Sequence, residues 1–218
     1  MILDSNKVLE RSVDSMAKIY AIVIGLALSE SVRTLITKNL QGQPNLTPAT
    51  LESGLPAFVA IVATLVPFWH GMNRHLDRCY LEKNGPVAQG ALLLDFITFF
   101  IEASLLLIAG WALRDGLVTF YCLGAALLID SIWGIVSHQI HFPNQKSHVR
   151  KWATTNLIAG CVALAIVAFP FNWKPTLLMV IAVGRTIVDY IFGWDFYFPP
   201  VPATPLSKTP VPPAADSV

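Results

Sequence analysis

Residues 91–137 read ALLLDFITFFIEASLLLIAGWALRDGLVTFYCLGAALLIDSIWGIVS, and this stretch decides the fold. It holds two continuous apolar runs, 91–110 and 117–137, each close to the roughly 20 residues with which a helix crosses a bilayer. Arg114, Asp115 and Gly116 make a tight polar link between them. Barrel strands would alternate in polarity, and these runs do not. We therefore expect two transmembrane helices.

The whole chain has the composition of a multi-pass membrane protein. Of its 218 residues, 54% are hydrophobic and 13% are charged, whereas about 45–50% and about 25% are usual in soluble domains. Hydropathy predicts six spans in all, at 18–36, 54–71, 91–110, 117–137, 153–170 and 176–193. We expect an all-α integral membrane protein, with a bundle of six transmembrane helices in one domain over residues 1–198.

The distribution of Lys and Arg predicts the orientation of the bundle. Of the 15 such residues, ten lie on one predicted side, three on the other and two within spans. The positive-inside rule then places both termini in the cytoplasm, and we expect the plasma (inner) membrane. Seven of the residues 199–218 are proline, so this stretch is predicted to be a disordered cytoplasmic tail.

Seven ionisable residues fall inside the predicted spans, where each costs about 2.5–3.5 kcal/mol on insertion scales. Five are acids and two are bases: Glu30, Arg33, Asp95, Glu102, Asp130, Arg185 and Asp189. The surplus of acid must be paired, hydrated or protonated inside the protein. We take all seven as candidate binding or pathway residues and none as catalytic.

Sequence spacing predicts two local ion pairs. Glu30 and Arg33 are three residues apart, which places them on one helix face. Arg185 and Asp189 are four apart, with the same consequence.

Depth in the membrane predicts the layout of the other carboxylates. Asp95 and Glu102 are seven apart on one helix face, which should point into the bundle. Asp95, Asp130 and Asp189 lie in the cytoplasmic halves of their spans, as an acidic vestibule. Glu102 and Arg185 lie near the midplane, where we expect a central pair. The alternative is a polar network that only fixes the register of the helices.

The metal-ligand residues give a weaker pattern. All five histidines lie at or beyond the predicted cytoplasmic ends of two spans: His70, His75, His138, His141 and His148. His70 and His75 are about 140° apart around a helix and should not bind one ion together. The cysteines are too scattered for a zinc motif and should be small buried hydrophobes: Cys79, Cys122 and Cys161. We expect interfacial histidines without metal, and no cofactor.

The first span carries a stripe of small residues, Ala21, Gly25 and Ser29, at i, i+4 and i+8. Such a stripe permits close helix approach. We expect it to pack against another helix of the same chain, with a homo-oligomer interface as the alternative.

Three functions remain open, with the lipid bilayer as surroundings in each. The first is a passive or ion-coupled channel or transporter for a cation, a proton or a small polar solute. The second is a non-catalytic scaffold or sensor subunit that recruits a cytoplasmic partner, and the third is a membrane enzyme with a histidine metal site. A net charge of +1 argues against nucleic-acid binding. We expect transport.

Overall fold

The computed structural model describes residues 5–37, 48–82, 90–142, 149–169 and 174–199. Across these ranges 92% of the residues are helical and no strand forms, which confirms the all-α prediction. The elements are α1 (Ser5–Ile36), α2 (Pro48–Leu76), a π-helical turn (Asp77–Leu81), α3 (Ala91–Trp111), α4 (Gly116–His141), α5 (Val149–Ala168), α6 (Lys174–Phe192) and the short α7 (Trp194–Tyr197). Helices α1 to α6 are long and apolar enough to cross a membrane.

Two helices continue well past their predicted spans. Helix α2 passes the predicted bound at 71 and runs into the π turn, and α4 passes 137 and ends at His141. Hydropathy marks only the apolar part of a helix, whereas the helix itself ends where its backbone hydrogen bonding ends. Four histidines therefore lie within helices and not beyond them: His70, His75, His138 and His141. His148 and the predicted tail from residue 200 onward lie outside the described residues.

The six long helices form a ring in which each packs against two neighbours, in the order α1, α3, α4, α5, α6, α2. Helix α2 also contacts α3 and α4 across the ring. Helices α1, α3 and α5 begin at the end of the bundle where α2, α4 and α6 finish. We call this the histidine end, because the rings of His75 and His141 meet there.

Polarity is inverted relative to a water-soluble protein. Five ionisable residues lie inside the bundle with at most 4% of their surface exposed: Asp95, Glu102, Asp130, Arg185 and Asp189. Large apolar side chains cover the perimeter, including Ile22, Leu93 and Ile132, each more than 60% exposed. A continuous apolar perimeter is stable in hydrocarbon and not in water. This arrangement supports a multi-pass membrane protein.

The small-residue stripe of α1 faces outward, so the prediction that it packs within the chain is wrong. Ala21, Gly25 and Ser29 are all exposed. The inward face of α1 is offset by one residue and contains the buried side chains of Tyr20 and Ile24. These larger apolar groups bury more surface against the neighbouring helices than the small stripe would.

Helices α1 and α3 approach each other closely at Gly110. A Cβ atom added there would lie 2.5 Å from Ser31 Oγ and 2.7 Å from the carbonyl oxygen of Ala27. The carbonyl belongs to the backbone, so the helices would have to separate.

We predict that Gly110→Ala lowers the free energy of unfolding by about 1–3 kcal/mol, as overpacking does in other cores. Gly25→Ala is the matched control, because no atom lies within 4 Å of its added Cβ. This control should be neutral or slightly stabilising, since alanine is the better helix former. Thermal unfolding of both variants in detergent micelles measures the difference, and equal melting temperatures would contradict the close approach.

Candidate functional site

Two buried polar clusters lie in the half of the bundle near the histidine end. We call the first the acid–arginine cluster, formed by Asp130, Asn156, Arg185, Asp189 and Tyr197. The second is the histidine–aspartate cluster, formed by His75, Cys79, Tyr80, Asp95, Trp133 and His141. Each joins side chains from at least three elements.

The acid–arginine cluster is a chain of polar contacts centred on Arg185. Arg185 Nε donates a hydrogen bond to Asn156 Oδ1 at 2.6 Å, and Asn156 Nδ2 donates to Asp130 Oδ2. Arg185 Nη2 lies 3.6 Å from Asp189 Oδ2, which confirms the predicted local ion pair. Tyr197 donates its hydroxyl proton to the same Asp189 oxygen at 2.8 Å.

Tyr197 lies on α7, beyond the last long helix, and covers this cluster. Burial, reinforced by the nearby Asp189 carboxylate, holds the pKa of Tyr197 well above its usual range. The phenol therefore keeps its proton at neutral pH and remains a hydrogen-bond donor to Asp189.

A proline helps to position Arg185. Pro67 in α2 has no N–H group, so the carbonyl of Ala63 lacks its usual helical partner. Thr186 of α6 supplies one, because its hydroxyl donates to Ala63 O at 2.5 Å. The adjacent Arg185 guanidinium then lies over the ring of Phe68, 5.5 Å from the ring centroid. Helices α2 and α6 are thereby joined beside the buried charge.

The predicted central pair between Glu102 and Arg185 does not form. Glu102 Oε1 is buried without a hydrogen-bond partner, and so are both Nη atoms of Arg185. The guanidinium is instead drawn towards Asn156 and Asp189 on α5 and α6. Sequence reasoning missed Asn156, because a single neutral amide adds no charge to a span; its position within the predicted span 153–170 was the available signal.

A cavity of about 60 Å³ adjoins the acid–arginine cluster. This volume exceeds the roughly 10–15 Å³ that one water molecule needs, so the cavity has room for water. Its lining includes three carboxylates from three helices, Glu102, Asp130 and Asp189, and extends to Arg78 and Phe142 at the histidine end. Two of the three acids of the predicted vestibule, Asp130 and Asp189, therefore border this cavity.

Asp95 is absent from this lining and belongs to the histidine–aspartate cluster. Its Oδ1 accepts a hydrogen bond from Trp133 Nε1 at 2.9 Å. Its Oδ2 accepts one from the Tyr80 hydroxyl at 2.7 Å and lies 2.9 Å from His75 Nε2. Both carboxylate oxygens are therefore satisfied by neighbouring groups.

The π turn adds a cysteine to this cluster. Cys79 Sγ lies 3.6 Å from His75 Nδ1, and His141 Nε2 lies 3.5 Å from the Tyr80 hydroxyl. His75 and His141 are both buried within the bundle, at its histidine end, and their interfacial position in the membrane stays a prediction. Sequence spacing could not show the π turn that follows α2 and carries Cys79.

The remaining candidate residues lie apart from the two clusters. The predicted pair of Glu30 and Arg33 forms, with Arg33 Nε donating to Glu30 Oε2 at 2.8 Å. The pair lies on α1 away from the histidine end, where Arg114 of the α3–α4 link donates to Thr34 O. His70 packs against Tyr197, with ring centroids 4.8 Å apart, and is separate from His75 as the spacing predicts.

The other cysteines differ from expectation. Cys79 is buried as predicted, but Cys122 is half-buried and Cys161 is exposed. Both lie on faces of α4 and α5 that are turned partly or wholly to the apolar perimeter, where a thiol is tolerated as a small apolar group.

Comparison of the chain with protein-family models, curated proteins and solved structures finds no match. The chemistry of the site therefore has to carry the functional conclusion.

Proposed function

We propose that the chain is a membrane transporter, passive or ion-coupled, that binds a cation or a proton in the cavity between Glu102, Asp130 and Asp189. The observation that carries this proposal is the charge around the cavity: three buried carboxylates against one buried guanidinium, that of Arg185, with the half-buried Arg78 at the histidine end of the lining. Unbalanced charge inside a membrane is costly and usually marks a transport pathway or binding site. A bound cation, or protons, would balance it.

The chemistry of the cavity suits both ligands. Carboxylate oxygens and water are the ligands that hard cations prefer. Glu102 Oε1 is buried without a hydrogen-bond partner, so no neighbouring donor compensates its charge. Protonation of one or more carboxylates would remove the same surplus charge.

The surroundings of the cavity favour a carrier over an open pore. On the histidine side the lining reaches the ends of the helices. Beyond the cavity, in the other half of the bundle, helices α2 to α6 each contribute a buried apolar side chain: Ile61, Leu106, Leu123, Val167 and Leu178. A site accessible from one end and closed by apolar packing at the other must change conformation to release its ligand across the membrane. With the orientation that Lys and Arg predict, the accessible end is cytoplasmic.

Flux measurements in proteoliposomes test this function. We predict that the reconstituted protein transports at least one of H⁺, Na⁺ and K⁺ down an imposed gradient. Glu102→Gln should reduce that flux about tenfold or more, because it removes an intramembrane charge while preserving side-chain size. The matched control is Glu30→Gln, because the Glu30 carboxylate pairs with Arg33 away from the cavity. This variant should keep wild-type flux.

Both the wild type and the variants have to be monodisperse and helical in detergent before reconstitution. Flux no faster than in empty liposomes for all three ions, or equal flux in Glu102→Gln and wild type, would contradict the proposal.

A further inference from the structure

The histidine–aspartate cluster brings together three side chains that bind soft metal ions. One ligand atom from each of His75, Cys79 and His141 lies within 4.8 Å of the other two, and all three residues are buried. Imidazole and thiolate are characteristic ligands of zinc and other thiophilic transition metals. We propose that these three residues bind one thiophilic transition-metal ion such as Zn²⁺, at a site distinct from the three carboxylates of the transport cavity, although His75 also lines that cavity.

The spacing between two of the ligands already fits a tetrahedral site. With metal bonds of about 2.3 Å to sulfur and about 2.0 Å to nitrogen, the two ligand atoms lie about 3.5 Å apart. Cys79 Sγ and His75 Nδ1 are 3.6 Å apart. This pair of ligand atoms therefore already has the separation that a shared metal ion requires.

Asp95 orients His75 for this role. Its Oδ2 lies 2.9 Å from His75 Nε2, so a proton on Nε2 is donated to the carboxylate and the lone pair remains on Nδ1. Nδ1 is the atom that faces Cys79. Tyr80 and Trp133 donate to Asp95 and hold the carboxylate in place. Carboxylate–histidine–metal arrangements of this kind are common in metal sites.

Charge balance favours a divalent ion here. A metal-bound Cys79 thiolate and the Asp95 carboxylate carry one negative charge each, and both residues are buried. A divalent ion with two neutral imidazoles would neutralise them, which removes much of the penalty for buried charge. Binding would also release the thiol proton, since the ligand is the thiolate.

The location on the chain gives independent support. Cys79 and Tyr80 lie on the π turn Asp77–Leu81, and such turns within helices occur frequently at functional sites. His141 is the last residue of α4. The ion would therefore connect the end of α2 to the end of α4 beside α3. Three protein ligands leave a fourth position for water.

Cobalt(II) titration of the full chain in detergent micelles tests the site. Co²⁺ can occupy zinc sites, and its absorption spectrum reports thiolate ligands. We expect saturation at about one Co²⁺ per chain, with a thiolate-to-cobalt charge-transfer band that Zn²⁺ abolishes by displacement. Cys79→Ser should lose the band. Cys122→Ser and Cys161→Ser, the matched controls, should keep it, and so should Glu102→Gln.

The role of Asp95 has its own readout in the same titration. Asp95→Asn should keep the thiolate band but weaken the apparent affinity for Co²⁺ about 10–100-fold, because the Asp95 carboxylate orients a ligand and does not bind the metal itself. The metal site is overturned if the wild type shows no saturable Co²⁺ binding with a thiolate band. This measurement does not depend on the folding of any variant. It is also overturned if Cys79→Ser keeps the band. Glu102→Gln changes the transport cavity but none of the three metal ligands, so flux and metal binding can be lost independently. Failure of the metal site therefore leaves the transport proposal standing.

Discussion

The Arg185→Met variant is expected to lose about 3–5 kcal/mol of unfolding free energy, the usual range when one partner of a buried ion pair is removed. Arg185 is 4% exposed, and it is the single base among the buried charges of the acid–arginine cluster. Its removal leaves Asp189 without its ion-pair partner and Asn156 Oδ1 without its donor. Methionine keeps much of the side-chain volume, so the effect reports charge and hydrogen bonding more than packing.

A second substitution separates charge from general disruption. In the double variant Arg185→Met/Asp189→Asn, one uncompensated carboxylate is removed, and we expect the stability to recover in part. Equilibrium unfolding in mixed micelles, followed by circular dichroism, measures both variants against wild type. A loss below about 1 kcal/mol in Arg185→Met, the value typical of exposed pairs, would contradict the buried position of this cluster.

Asp95→Ala is expected to destabilise the protein by about 3 kcal/mol or more, because each buried group left without a hydrogen-bond partner costs about 1–3 kcal/mol. Three groups depend on this carboxylate: the Trp133 indole, the Tyr80 hydroxyl and His75. Their helices meet at the histidine end, so the loss should be greatest there.

The matched control for Asp95 is Asp14→Ala. Asp14 accepts a hydrogen bond from Lys18 on α1, and its side chain is 58% exposed. Exposed pairs of this type contribute about 1 kcal/mol or less. Tryptophan fluorescence during unfolding gives both values. Equal losses in the two variants would contradict the structure of the histidine–aspartate cluster.

The number of membrane-spanning helices and the burial of their charges could be predicted from sequence, because both follow from the lipid that surrounds the helices. Apolar runs long enough to cross a bilayer must become helices there, and a carboxylate such as Asp95 must then turn away from lipid. Local pairs such as Arg185 with Asp189 were also predictable, since helix geometry fixes which neighbours share a face.

Contacts between helices could not be predicted in the same way. The Glu102–Arg185 pair was inferred from equal depth alone, but rotation of each helix decides which side chains meet. Arg185 instead contacts Asn156, a neutral residue that hydropathy does not single out. Likewise, the π turn brings Cys79 beside His75 through a local change in backbone hydrogen bonding that has no clear sequence pattern.

The most direct test is the reactivity of single cysteines towards a small, charged, water-soluble thiol reagent in liposomes. Ser137 lines the cavity, whereas Ile135, on the same helix, is 49% exposed on the apolar perimeter. The native cysteines are first replaced by serine. We predict that Ser137→Cys is modified and that Ile135→Cys, facing lipid, is not. Modification of Ile135→Cys together with protection of Ser137→Cys would contradict a wet, acid-lined cavity inside a membrane-embedded bundle.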